Sequence, residues 1–175
     1  MGKKIGLFFG TDTGNTEMVA NKIKEKVDSI LGYDAVDVVE IYKKEPSDLE
    51  SYEYIIIGMP TWYDGELQGD WEAFLPKWET VNFANKKMAF FGLGDQYGYS
   101  FYFCDALGIF YTIAKEKGAE VFGETDTDGY EYDASKAEID GKLCGLCIDI
   151  DNQDELTDTR IDQWIPEILN GFKLV

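Results

Sequence analysis

The stretch with residue types and spacing suited to chemistry is Gly10-Thr11-Asp12-Thr13-Gly14-Asn15-Thr16-Glu17. It follows a short apolar run, Ile5 to Phe9, and precedes a helical pattern. A strand, a hydroxyl- and glycine-rich turn and then a helix aim backbone N–H groups and a positive dipole end at an anion. Thr11, Thr13 and Thr16 add hydroxyl donors, while Gly10 and Gly14 let the backbone come close. What is missing narrows the anion. No Gly-Lys-Ser/Thr is present, so the lysine and magnesium-binding hydroxyl of nucleoside triphosphatases are absent. No Gly-x-Gly-x-x-Gly is present either, so the dinucleotide fingerprint fails. A neutral, donor-rich cradle suits one terminal phosphate, such as that of a mononucleotide. The plainer alternative makes the turn a helix cap, with Thr13 or Asn15 at the N-cap position.

Other chemistries are excluded by composition. The chain has no histidine, which removes histidine triads, histidine metal sites and the commonest general base. Cys104, Cys144 and Cys147 do not make a disulfide framework. Cys144-Gly145-Leu146-Cys147 has redox-dithiol spacing but falls inside Lys142–Ile150, which reads as a buried strand with the two thiols on opposite faces. Core packing accounts for them better. The acidic runs near Asp126 and Asp149 miss EF-hand spacing. Net charge is −18, from 34 acidic and 16 basic residues, which repels nucleic acid and anionic membrane and favours a basic protein partner. The longest apolar stretches are too short to span a bilayer and the start lacks a secretory pattern, so the expectation is a cytoplasmic protein without membrane insertion.

The elements that must position this turn alternate along the chain. Strands are expected at Lys3–Phe9, Ala35–Ile41, Tyr54–Met59 and Lys87–Gly94. Helical stripes run through Met18, Val19, Ile23, Val27 and Ile30; through Trp71, Phe74, Leu75 and Trp78; through Leu107, Phe110, Ile113 and Ala114; and through Ile161, Trp164, Ile165, Ile168 and Leu169, the last after Thr157 as N-cap. Pro46–Ser51 reads as a short helix or turn. Ala119–Phe122 and Leu143–Ile150 are strand pieces separated by polar residues, so Gly123–Gly141 reads as an excursion within one strand. This alternation indicates one α/β domain over residues 1–175 with a doubly wound parallel sheet. Ligands in such sheets sit beyond the carboxyl ends of the strands. Besides the first turn, two loops fall there: Pro60-Thr61-Trp62-Tyr63-Asp64-Gly65-Glu66-Leu67-Gln68 and Gly94-Asp95-Gln96-Tyr97-Gly98-Tyr99-Ser100. Both place aromatics beside glycines on turns. Trp62 and Tyr99 either fold back on the core or flank a flat aromatic ligand. A phosphate cradle with two aromatic walls suggests a cofactor of the flavin mononucleotide (FMN) type.

These three segments closely resemble the flavodoxins. The resemblance continues through Asp151-Asn152-Gln153 and Leu156-Thr157-Asp158, and the interrupted fifth strand with Thr127-Asp128-Gly129-Tyr130 looks like the long-chain subgroup, most like proteins of oxygenic phototrophs. It implies a five-stranded sheet of order 2-1-3-4-5, with FMN at the switch point between the first and third strands. Thr11, Asp12, Thr13, Gly14, Asn15 and Thr16 would wrap the phosphate, and Trp62 and Tyr99 would sandwich the isoalloxazine. Pro60 and Gly65 belong to the same loop as Trp62; Thr61 and Asp151 would meet the ribityl chain. Leu93, Gly94, Asp95 and the Tyr102–Asp105 segment, with Cys104, would border the pyrimidine side. The Tyr63–Asp64 peptide would turn its carbonyl to flavin N5–H once one electron has arrived. Asn15 stands where some relatives have lysine and Leu93 where some have threonine. Tyr63-Asp64 lacks an easing glycine, which predicts modest stabilisation of the singly reduced flavin.

The implied function is a low-potential one-electron carrier replacing a ferredoxin. Its expected partners are basic faces of ferredoxin-NADP reductase, photosystem I or other ferredoxin-dependent enzymes, met as a monomer. A carboxylate about 12 Å from the reduced, anionic flavin opposes it by roughly 0.7 kcal/mol at an effective dielectric of about 40. Asp64, Asp95 and Asp151 are the first such groups. An FMN-dependent quinone reductase would need one ring face open, which Trp62 and Tyr99 argue against. A response-regulator module would need acidic residues where Phe8-Phe9 and Gly58-Met59-Pro60 stand.

Overall fold

The computed structural model describes residues 2–175. Its framework follows from alternation on three apolar strands: β1 (Ile5–Phe9), β3 (Tyr54–Trp62) and β5 (Lys87–Leu93). Ile5, Leu7, Phe9, Ile56, Ala89 and Phe91 enter one core, and Phe8, Ile55, Ile57, Met88 and Phe90 enter another. Both sheet faces therefore need helical cover. The first core is closed by α1 (Asn15–Leu31) through Val19, Ala20, Ile23 and Val27, and by α6 (Thr157–Phe172) through Ile161, Trp164, Ile165, Ile168 and Leu169. The second is closed by α3 (Gly69–Trp78) through Trp71, Phe74 and Trp78, and by α4 (Asp105–Glu116) through Leu107, Phe110 and Ala114. Leu49 of the short α2 (Pro46–Glu50) completes that side. The chain is an α/β fold, doubly wound as expected.

With β2 (Val36–Glu40) the parallel order is β2-β1-β3-β5, and two short strands share the far edge of β5. β6 (Glu120–Phe122) pairs with Lys87–Ala89, and β10 (Leu146–Ile148) pairs with Phe91–Leu93. These are the two halves of one interrupted fifth strand. Between them the insertion forms its own antiparallel sheet from β7 (Thr125–Asp126), β8 (Glu138–Ile139) and β9 (Lys142–Leu143). The helices α5 (Ile150–Gln153) and a 3-10 turn at Asp154–Leu156 lead into α6.

Several sequence expectations need correction. β3 does not stop at Met59: Pro60 pairs with Leu93 in register, and Thr61 and Trp62 turn back through a tight hairpin onto β4 (Glu66–Leu67). The expected strand Leu143–Ile150 breaks at Cys144–Gly145, where a Cβ on Gly145 would lie 2.1 Å from the Phe90 carbonyl oxygen. That break puts Cys144 and Cys147 into the same core rather than on opposite faces. All three thiols are buried, and burial pushes those of Cys104 and Cys144 upward, so packing is their observed role. Met18 and Ile30 of α1 point to solvent, because the buried stripe runs through Thr16 and Ala20 instead. Thr157 is the first residue inside α6, which Leu156 precedes as N-cap.

Candidate functional site

The first turn leaves β1 at Gly10, whose N–H donates to the Gly58 carbonyl at 3.3 Å. Thr11 Oγ1 then accepts the Gly14 N–H at 2.9 Å, which closes the turn on itself. Gly14 takes φ 88° and is the N-cap of α1, with no side chain capping the helix. The expected caps, Thr13 and Asn15, do not cap it. The positive end of a 17-residue helix and its orphan N–H groups therefore stay open.

They face a cleft beyond the carboxyl ends of β1, β3 and β5. Thr11, Thr13, Asn15 and Thr16 line it from one side, and no lysine or arginine is among its lining residues. β3 and its hairpin supply Pro60, Thr61, Trp62 and Tyr63; the end of β5 and the following loop supply Leu93, Gly94, Asp95 and Tyr99; α5 supplies Ile150 and Asp151. The Tyr63 ring lies 6.2 Å from that of Trp62 and 6.0 Å from that of Tyr99, so three aromatics form a continuous rim. Trp62 Nε1 is shielded from solvent and has no partner. A hydroxyl cradle at an open helix end, an aromatic wall and an unmatched indole N–H fit a phosphorylated aromatic ligand with acceptor atoms.

Buried polar groups hold these parts in place. Gln68, 2% exposed, caps α3 by accepting the Trp71 N–H and donates to Asp12 at 3.1 Å, tying hairpin to phosphate turn. Asp149 is fully buried and accepts from Gln96 N, Gln96 Nε2 and Asn152 N at 3.2, 2.8 and 3.1 Å. Asn152 Nδ2 also reaches Asp95 at 2.8 Å, so the loop bearing Tyr99 is stapled to α5. For Asp95, burial alone would raise the pKa, but the Gly98 N–H, Asn152 and the Tyr97 N–H outweigh it and hold the carboxyl below its ordinary value. Burial, with Asp95 and Asp149 beside it, pushes Asp151 the other way.

The flavodoxin family model matches residues 7–164. The chain is 46% identical to the flavodoxin of Haemophilus influenzae over 97% of its own length and 96% of the relative. It is 45% identical to a flavodoxin of Nostoc over 99% and 100%. The crystal structure of Fusobacterium nucleatum flavodoxin bound to flavin mononucleotide superposes with a TM-score of 0.89, at 33% identity, covering 97% of this chain and 98% of that one. The chain belongs to the flavodoxin family. Its family is one of electron-transfer proteins rather than enzymes, and the length and insertion are those of a long-chain flavodoxin. The lean toward phototroph proteins is met only in part, since the Haemophilus flavodoxin is as similar as the Nostoc one.

Of the residues singled out from the sequence, the structure brings thirteen to the cleft: Thr11, Thr13, Asn15, Thr16, Pro60, Thr61, Trp62, Tyr63, Leu93, Gly94, Asp95, Tyr99 and Asp151. Asp12 turns away to Gln68, and Gly14 occupies the N-cap position without a side chain to fill the capping role. Asp64, Tyr102 and Asp105 line a neighbouring depression behind the hairpin, beside the Gly65 turn. Cys104 is buried behind Gly94, on which a Cβ would lie 3.0 Å from the Cys104 amide nitrogen. Sequence reasoning missed Ile150 and the supporting Gln68, Asp149 and Asn152. Gln68 ended the Pro60–Gln68 segment and Asn152 lay in the short Asp151-Asn152-Gln153 likeness, but neither likeness gave a role, because the roles depend on which loops meet.

Proposed function

We propose that this flavodoxin carries single electrons between redox proteins, using FMN held in the cleft. The observation that carries the reading is the uncapped N-terminus of α1 opening onto the aromatic-rimmed cleft. The phosphate would sit on the α1 N–H groups and the hydroxyls of Thr11, Thr13 and Thr16, with Asn15 beside them and Asp12 and Gly14 shaping the turn. Trp62 and Tyr99 would flank the ring, with Tyr63, Leu93, Gly94 and Asp95 along its edges. Thr61 and Asp151 would meet the ribityl chain, and Thr61 Oγ1 already accepts the Ala106 N–H at 3.0 Å, which fixes its orientation. When bound, FMN supplies one-electron chemistry; the protein binds it, shields its faces and surrounds it with negative charge. Cys104, Asp105, Tyr102, Asp64 and Gly65 would act from behind the site.

The partners would present basic faces, as ferredoxin-NADP reductase, photosystem I and ferredoxin-dependent enzymes would, in a cytoplasmic setting and with the carrier monomeric. Among the described residues no helix is long and apolar enough to cross a membrane. The test is an absorption spectrum of purified protein, then stepwise reduction. Yellow protein, or apoprotein that takes up one FMN per chain, supports the reading; failure to bind FMN rejects it. Trp62→Ala should weaken FMN binding by about tenfold or more, the loss of one stacked wall, as read by fluorescence titration.

A further inference from the structure

Asp105 opens α4, is 2% exposed, and forms no ion pair among the described residues. A carboxylate is costly in such a place, and burial pushes its pKa upward. A helix N-terminus favours an acid in its first turn, but an exposed one would serve equally. The contacts of Asp105 say more. Its Oδ1 accepts the Lys136 backbone N–H at 2.8 Å. Its Oδ2 packs on Gly65, where a Cβ would lie only 2.9 Å away.

On its cleft side the turn it touches is held by the Tyr63 ring against Trp62 and Tyr99, and its backbone is strained. Tyr63 takes φ 44° and Gly65 φ 85°, and a left-handed conformation is unfavourable for tyrosine. Tyr63 is 57% exposed, Asp64 is exposed, and β4 has only two paired residues. Support comes from beneath, from the first turn of α4: Ala106 N–H to Thr61 Oγ1, and the Asp105 carboxylate against Gly65. That turn is seated in its own right by the insertion. Phe103 N–H donates to the Ala134 carbonyl at 3.3 Å, Ser135 Oγ donates to the Phe103 carbonyl, and a Cβ on Gly108 would lie 2.1 Å from the Lys136 carbonyl oxygen.

We infer that Asp105 is a positioning residue, which fixes the Tyr63–Gly65 turn at the rim of the cleft and ties its conformation to insertion residues 134–137. Where ligand is concerned this rests on the FMN reading, but the contact itself does not.

The test compares Asp105→Ala and Asp105→Asn with the unmodified chain. Amide resonances are followed in the FMN-free protein, and FMN affinity is followed by fluorescence titration. In Asp105→Ala the amides of residues 63–66 and 136 should shift, and affinity should fall about tenfold. Asparagine fills the same space and keeps an acceptor for the Lys136 N–H, so Asp105→Asn should restore both. The inference is overturned if Asp105→Ala lowers Tm yet leaves those amides unmoved, or if asparagine rescues nothing. Should Asp105→Ala not fold, Asp105→Ser is read in its place against the same outcomes. If the unmodified chain itself does not take up FMN, the functional proposal fails while the amide shifts still decide the role of Asp105.

Discussion

Gly14 and Gly58 show how differently one residue type is used. At Gly14 the constraint is conformational: φ is 88° and a Cβ would meet nothing within 4 Å. Gly14→Ala should therefore cost only about 1 kcal/mol of backbone strain. At Gly58 the constraint is space, since the Phe91 ring lies across it and a Cβ would be 2.0 Å from that ring. Gly58→Ala should cost more, about 2–3 kcal/mol of overpacking, and urea unfolding of the two variants should rank them in that order. Asp95 makes a prediction in pH. Its carboxyl is held below the ordinary value of 3.8 in the folded state, so its contribution is present above that value and is lost as pH falls through the lower folded one. The Tm gap between the unmodified protein and Asp95→Asn should shrink on acidification from about pH 6 toward pH 3; a gap that widens would contradict the assignment. The sequence presented Asp95 only as a carboxylate near the site. Its hydrogen bonds to Gly98, Tyr97 and Asn152 became visible once the loop was folded.

At the scale of elements, the cleft is assembled by clasps between pieces far apart in the chain. Gln68 links α3 and the hairpin to the phosphate turn through Asp12. Removing it in Gln68→Ala should cost on the order of 1 kcal/mol for the lost cap. It should also loosen phosphate binding, so affinity for FMN should fall further than affinity for riboflavin, which has no phosphate. The insertion is clasped separately. Arg160 of α6, the only arginine in the chain, lies 4.1 Å above the Tyr130 ring and donates to Gln153 at 2.7 Å. Arg160→Ala should speed proteolysis within residues 123–141 while leaving urea stability of the parallel sheet nearly unchanged. The existence of these elements was readable from periodicity. Their ends were not, because the extension of β3 to Trp62 depends on pairing with β5 and β4.

For the molecule as a whole, a net charge of −18 acts beyond any single contact. Electron transfer to a basic redox partner should be fast at low ionic strength and slow steeply as salt rises past about 0.1 M, as stopped-flow kinetics would record. A rate independent of salt would leave the charge with no part in docking. The sequence by itself determined the fold class, the interruption of the fifth strand and the three segments that meet at the cleft. Those follow from apolar period, glycine placement and residue type, which are local properties of the chain. The tertiary structure alone decided that α1 is left uncapped, that Cys144 and Cys147 share one core, and that Asp105 lies under the hairpin turn rather than at the cleft. Each of these depends on which backbone passes close to which side chain, and such distances are set by the packed sheet and its helices together.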